Sequence, residues 1–503
     1  LKVLIQYFEI SKDIRVLPFF KSYFNYLETE IDVRPMEGWS MARVPELLFS
    51  LKWLHEQTGD EHWLCLYSKL DKQSINWTGL FNSFPYVRPT SYYYNWKEIK
   101  KYSPEMYPDL FRFHETHVVN VTMGIKHPAL QYYFTKAEEN KEFSKKAIQT
   151  LIKYHGAASG AINGDEHLSG ANPTQGSELC SVEEYMFSLQ VMLEILGDPE
   201  YADLMERLAY NALPATISED FMGHQYLQQA NQVLVNKAAR NWFNNNDTSN
   251  MFGLEPNFGC CTANMHQGWP KFVDSLWYEQ NDDTLVSMVF APCRVDKTLS
   301  GGNVIIDLVT EYPFKNRLNY IIKEAPENSF TLKIRIPSWC DSPQISSDAF
   351  MIDKKERMFC ATKVFSPGEA ILVEFPMKER FGSWYNKSIA LERGPLVYAL
   401  NMKEQWVSEM ERAGVKDYSI YPESDWNYAL SKDGKIEIEE KEISAVPFSK
   451  ENAPVRISVR AKKLSQWTMK DNSAGEVPVS PVITDSPEEL VELIPYGCTK
   501  LRI

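Results

Sequence analysis

Residues Tyr185–Leu213 read YMFSLQVMLEILGDPEYADLMERLAYNAL. Apolar side chains recur every three or four positions on both sides of Gly197-Asp198, the spacing of one helix face. Glycine suits the left-handed residue that ends a helix, and aspartate caps the next one. The same plan stands far upstream at Val44–Lys72, VPELLFSLKWLHEQTGDEHWLCLYSKLDK, broken at Thr58-Gly59-Asp60. A recurrent helical hairpin with a short turn points to stacked or closed α/α repeats. HVVNVTMGIKHPALQYYF and EFSKKAIQTLIKYHG add helices between the two. Residues 76–113, rich in aromatics and punctuated by proline, read as a long excursion between helices, the kind of loop that tends to be functional.

Beyond about Leu276 the period shortens. DTLVSMVFAPCRV, GNVIIDLVTEYPF, SFTLKIRIPSWC and EAILVEFPMKERFG are short alternating or apolar runs between turn residues, which read as sandwich strands. SIALERGPLVYALN, KIEIEEKEISAV and PVRISVRAKKL continue the pattern. The expected organisation is therefore α+β and multidomain. A helical domain of stacked or closed α/α repeats spans 1–275, a β-sandwich 276–400, and a second sandwich or β-rich domain 401–503.

The 503 residues suit several domains. A formal charge of -14 argues against nucleic acid, which demands clustered Lys and Arg. No apolar run reaches the ~20 residues of a membrane helix. Aromatics make up 13% of the chain; they serve packing, and their rings also suit stacking on sugar C–H faces. The eight cysteines are irregularly spaced, unlike a disulfide scaffold.

Two of those cysteines, Cys260 and Cys261, are adjacent in EPNFGCCTANMHQGWPKF, residues 255–272. GSELCSVEEYMF places Glu178 and Cys180 two apart at a helix start. One carboxylate and three thiolates would fill a tetrahedral zinc site; small buried hydrophobes are the other reading, since free cysteine often is one. NGDEHLSG presents Asp165, Glu166 and His167 in a glycine-flanked turn, either at a pocket mouth or as a solvated loop. HETH, His114 to His117, is one residue short of the zinc-protease spacing, so His117 is read as lining a pocket or the core. MGHQYLQQANQV, with His224 and Tyr226, offers dense donors and acceptors for hydroxyl recognition. His266, just after the paired cysteines, completes the substrate-binding candidates.

ELCSVEEYMFSLQ, FGCCTANMHQGWPK, ALERGPLVYAL and LIPYGCTKLRI together resemble glycoside hydrolase family 127, the β-L-arabinofuranosidases, and the related family 146. The resemblance implies an (α/α)6 barrel over 1–275 followed by β-sandwich domains; against the twelve helices of such a barrel the helical half is short, so the first barrel helices are expected to be missing. It implies Zn2+ held by Glu178, Cys180, Cys260 and Cys261, with Cys260 also the nucleophile and Glu166 the acid/base. It further implies a retaining exo-hydrolase that releases β-L-arabinofuranose or a related furanoside from plant oligosaccharides or polysaccharides. Such a substrate suggests a periplasmic or secreted bacterial protein, with the cytoplasm as the alternative. The chain departs from the usual Cys-Cys-Pro-Pro-Asn by carrying Thr262-Ala263-Asn264. Alternatives are an α/α-barrel lyase or hydrolase of acidic sugars with a structural zinc, a hydrolase using metal-bound water, and an inactive carbohydrate-binding protein.

Overall fold

The computed structural model describes residues 1–94, 110–243, 246–254 and 259–503. Helices dominate from Lys2–Ser11 to Gly268–Asp274, and strands follow from Trp277–Glu279 onward. Both expected hairpins form. Val44–Thr58 ends on Gly59 at φ 60°, and Leu179–Leu196 ends on Gly197 at φ 65°. A Cβ at either glycine would be strained in this left-handed region. Asp198 then caps Pro199–Arg207 by accepting from the Glu200 N–H at 3.0 Å.

Leu179–Leu196 is buried on all faces from Leu179 to Leu193, Gln190 excepted. A helix that is buried all round lies inside a helical assembly rather than on its rim. It packs against Val118–Gly124, Pro199–Arg207 and Gly268–Asp274, so its N-terminus is delivered to the middle of the helical region. Residues 76–113 are not a bare loop. They include helix Trp77–Asn82, whose Trp77 is fully buried, and the start of Leu110–Thr116; the stretch between, 95–109, lies outside the described residues.

Two five-stranded sheets follow. One runs in the order 351–353, 358–363, 330–335, 284–287, 277–279; the other in the order 344–345, 370–374, 317–324, 302–310, 293–299. Alternate residues such as Val304, Ile306, Leu308, Leu332 and Ile334 enter one shared core, the period-2 burial of sheet-on-sheet packing. Buried Arg335 joins this sandwich to the helices through Asp203 and Glu206, the latter at 2.5 Å.

Strand pairing departs from the expected division at residue 400. Strands within 379–400 hydrogen-bond into a seven-stranded sheet with 488–495 and 455–463, so the change of sheet falls after Glu374. This third sheet rests directly on the helical region, Val397, Ala399 and Tyr496 meeting Ala215. The polar stretch after 400 also forms a hairpin, Glu404–Arg412 with Val415–Pro422. That hairpin reaches back to pair through Tyr418 with Phe252 of the short strand Phe252–Gly253, which in turn pairs with His224–Gln225. Among the described residues no helix is long and apolar enough to cross a membrane.

Candidate active site

Two chain segments bring the thiols together. Ser177–Glu178 pairs with Leu227–Gln228 as a short strand, and Glu178, at φ -74° and ψ 135°, is the N-cap of Leu179–Leu196. Extended backbone at the cap and helical backbone in the first turn aim Glu178 and Cys180 to one side. Cys260 and Cys261 occupy the first turn of Gly259–Asn264, which packs on Leu179–Leu196. First-turn amides favour negative charge, hence thiolate. Cys180 Sγ lies 3.2 Å from Cys261 Sγ, and Cys260 Sγ 4.0 Å from it. One ligand atom from each of Glu178, Cys180, Cys260 and Cys261 falls within 4.8 Å of the others. Metal–sulfur bonds of about 2.3 Å in a tetrahedron set sulfurs roughly 3.8 Å apart, so the cluster is of the right size for one ion.

The chemistry of the donor set fits a cation. Glu178, Cys180 and Cys261 are buried, while the Cys260 residue is exposed. Glu178 Oε2 has no hydrogen-bond partner among the described residues, an arrangement that costs free energy unless something binds there. Hydrogen bonds from Cys180 and then Cys261 lower the Cys260 thiol to about 3. Donating to Cys260 raises Cys180, and burial raises Cys261 and Glu178. Burial and mutual repulsion thus oppose the ionisation of all four groups together. A divalent ion would let all four ionise, and thiolate and carboxylate together suit zinc. Asn264 Nδ2 donates to Cys180 Sγ at 3.2 Å, the outer-shell bond that orients a ligand sulfur.

Glu166 sits across from this cluster in the turn 163–170. Its φ of 82° is strained for a residue with a side chain, by about 1–3 kcal/mol, and such strain gathers at functional sites. The turn is pinned on both sides. The Val118 N–H donates to Glu166 O at 3.0 Å, and the Gly164 N–H donates to Gly176 O at 2.8 Å. At Gly164 only a hydrogen fits, because a Cβ would come within 2.4 Å of Val118 Cβ. His117 N-caps Val118–Gly124, its Nδ1 accepting from the Asn120 N–H at 3.4 Å. The ring proton is therefore on Nε2, which donates to Glu166 Oε1 at 3.1 Å. The Tyr226 hydroxyl donates to the other oxygen, Oε2. Burial pushes the Glu166 carboxyl up, but the bonds from His117 and Tyr226 outweigh it and hold the group below its ordinary value, while the charge of Cys260 opposes them. Asp165 next door is buried, accepts from the Phe243 N–H at 3.0 Å and is raised well above the usual range by burial. It is a buried support for the turn rather than a solvated loop acid.

The remaining expected residues divide. His117 and Tyr226 converge on Glu166. His224 is buried with Nε2 3.0 Å from Thr262 Oγ1, and Thr262 donates to Leu254 O at 3.0 Å. His224 therefore ties its strand to the residue after the paired cysteines, and burial lowers it to about 4. His266 is exposed on the turn Met265–Gln267 and makes no hydrogen bond to the cluster among the described residues. Sequence reasoning assigned no role to Thr262 and Asn264, though both lie in the stretch where the chain departs from Cys-Cys-Pro-Pro-Asn. A proline at 262 would lose the hydroxyl that joins His224 to Leu254. Arg43, whose Nε donates to Asn120 Oδ1 at 3.1 Å and whose guanidinium lies 4.9 Å from the Trp39 ring centroid, had no signal in sequence at all.

Residues 1–274 match the family description "Beta-L-arabinofuranosidase, GH127 catalytic domain", and residues 284–377 match the GH127 middle domain. The chain belongs to glycoside hydrolase family 127. Its fold is that of solved relatives. A GH127 β-L-arabinofuranosidase from Geobacillus stearothermophilus T6 superposes with a TM-score of 0.66 at 20% identity, over 99% of this chain and 76% of that one. A second structure, a GH127 β-arabinofuranosidase, gives a TM-score of 0.59 at 16% identity over 90% and 66%. A third, described as a glycoside hydrolase, gives 0.58 at 15% over 98% and 88%. No curated protein sequence matches. As a family member the chain is a glycoside hydrolase acting on carbohydrate, and its four-residue cluster is able to hold a metal ion.

Proposed function

We propose that this chain is a retaining, exo-acting glycosidase that releases β-L-arabinofuranose or a closely related furanoside from plant glycans. In this reading Cys260 is the nucleophile, Glu166 the acid/base, and Glu178, Cys180, Cys260 and Cys261 hold zinc. The observation that carries it is the asymmetry of the cluster. Three donors are buried, and the one thiol left exposed is also the one favoured as thiolate. The sugar follows from the family description and from the names of the relatives.

Bound zinc would keep the sulfurs deprotonated and neutralise their mutual repulsion. The Cys260 thiolate attacks the anomeric carbon as the glycosidic C–O bond breaks, and the leaving oxygen takes the proton of the Glu166 carboxyl. Glu166, now a carboxylate, accepts a proton from water. The water oxygen displaces sulfur and restores the thiolate. Two displacements return the original configuration. The bonds from His117 and Tyr226 favour the carboxylate, which suits the second half; the first half then runs on the protonated fraction and gains as pH falls.

Metal analysis together with a panel of aryl and natural furanosides tests the reading. It expects zinc near one per chain, release of single sugars and retained configuration by NMR. Cys260→Ser should abolish turnover with the fold intact. Full activity in that variant, an inverted product or an unsaturated product would overturn it.

A further inference from the structure

The C-terminal sheet sends a second, smaller hairpin to the helical region. Met469–Lys470 pairs with Ser473–Ala474, and the two residues at its tip, Asp471 and Asn472, are left-handed at φ 50° and 57°. Two positive φ values match the twist of a tight hairpin. The tip is fastened in place: Asn472 Nδ2 donates to Ala239 O at 2.8 Å, and Gln229 Nε2 donates to Ser473 Oγ at 2.8 Å. Between hairpin and helical region lies a cleft of about 110 Å³, whose lining includes Asn172, Gln175, Asn241, Trp242, Lys470 and Asp471.

Three features decide what this cleft suits. Its volume is below the ~300–1,000 Å³ of sites for drug-sized ligands, so it takes one small ring. Its lining mixes amides, one ammonium, two carboxylates and an indole edge, and of the two carboxylates Glu476 already accepts from the Tyr385 hydroxyl at 2.6 Å. A neutral ligand with many hydroxyls meets both donors and acceptors there, whereas an anion would face Asp471 and Glu476 and a cation Lys470. Its place in the fold is next to the acid/base turn. The Trp242 indole N–H donates to Thr174 O at 3.0 Å, and the following residue, Phe243, donates its N–H to Asp165, the neighbour of Glu166. Phe243 also packs on His167, ring centroids 5.2 Å apart. In a glycosidase the acid protonates the departing oxygen, so the leaving group lies on the acid's flank.

We propose that this cleft is a leaving-group subsite that binds a saccharide unit of the departing glycan, built jointly by the helical region and the C-terminal hairpin. The assignment rests on Glu166 being the acid/base. The C-terminal sheet then contributes to substrate choice and not only to packing.

The test compares kcat/KM for an arabinofuranosyl oligosaccharide and for an aryl arabinofuranoside, whose leaving group has no array of hydroxyls to pair with the polar lining. Gln175→Ala and Asp471→Gly are the variants; glycine accepts the positive φ at 471 without strain. The ratio of the two kcat/KM values should fall about tenfold in each variant, with thermal unfolding unchanged. A ratio within about twofold of the parent chain in both would overturn the proposal. Titration of the released saccharide by calorimetry separates it from the wider reading. If the parent chain hydrolyses no furanoside yet binds the saccharide, and Gln175→Ala loses that binding, the catalytic assignment fails and the cleft stands only as a saccharide-binding site. Equal binding by parent and variant removes the subsite.

Discussion

His117→Asn isolates the contribution of one hydrogen bond to the proton economy of Glu166. Asparagine is a good N-cap, so the start of Val118–Gly124 keeps its cap. Its shorter side chain cannot span the 3.1 Å contact that His117 Nε2 makes with Glu166 Oε1. Tyr226 keeps its bond to the other oxygen. A hydrogen bond to a charged group contributes about 1.5–3 kcal/mol, and one pKa unit corresponds to about 1.36 kcal/mol. The Glu166 side chain is 18% exposed, so solvent screening puts this bond at the low end of that range, and the carboxyl should rise by about one unit. The sign follows from which form the bond favours. His117 stabilises the carboxylate, and its loss favours the acid. Because glycosylation requires protonated Glu166, kcat/KM falls as pH rises through that group's value in the free enzyme. The alkaline limb of the kcat/KM profile should therefore move up by about one pH unit in the variant. Initial rates with an aryl arabinofuranoside at closely spaced pH values measure it. Any direct role of His117 in holding the sugar would change the rate at every pH and leave the limb where it is. An alkaline limb that stays put or moves down would refute Glu166 as the acid held low by His117.

Cys261→Ser and Cys180→Ser should each lower bound zinc well below one per chain, with a lower unfolding temperature, because metal binding contributes folding free energy; unchanged metal content by elemental analysis would remove these residues from the ligand set. Gly164→Ala forces a Cβ to within 2.4 Å of Val118 Cβ and should move the Glu166 turn, cutting kcat about a hundredfold while circular dichroism stays native; near-parental activity would show that the turn tolerates the shift. Arg335→Met leaves buried Glu206 short of its main counter-charge and should cost about 3 kcal/mol in urea unfolding at neutral pH. Burial already raises the Glu206 carboxyl above its ordinary value. The unfolded chain ionises first, so the variant's penalty should grow as pH rises from about 4.5 and be smallest in acid; a penalty that is constant between about pH 5 and 8 would contradict this.

The helical hairpins were legible because their stop signals are local. Gly59 and Gly197 take the left-handed angle that ends a helix, and Asp198 caps its successor. The helical character of Trp77–Asn82 was hidden by a run of aromatics that reads equally as loop packing. Strand order was hidden for a different reason. The pairing of 396–400 with 488–495, and of Tyr418 with Phe252, joins residues far apart in sequence, and no local pattern encodes it. In the site, Glu178-x-Cys180 and the adjacent Cys260 and Cys261 announced themselves by residue type. Asn264 and Thr262 act through single hydrogen bonds to atoms on other segments, and Asp165 differs from a solvated loop acid only in its burial. His266 stood out beside the cysteines in sequence, yet it lies exposed on the short turn Met265–Gln267.

Peptide mapping of a trapped adduct bears most directly on the central claim. Glu166→Gln would be incubated with an arabinofuranoside bearing a strongly acidic phenol, so that glycosylation needs no acid while hydrolysis of the intermediate lacks its base. The account predicts one pentosyl unit attached to the peptide containing Cys260, joined through sulfur and absent when Cys260→Ser is added. A pentosyl unit found on a carboxylate, or full turnover with no adduct and no dependence on Cys260, would contradict it.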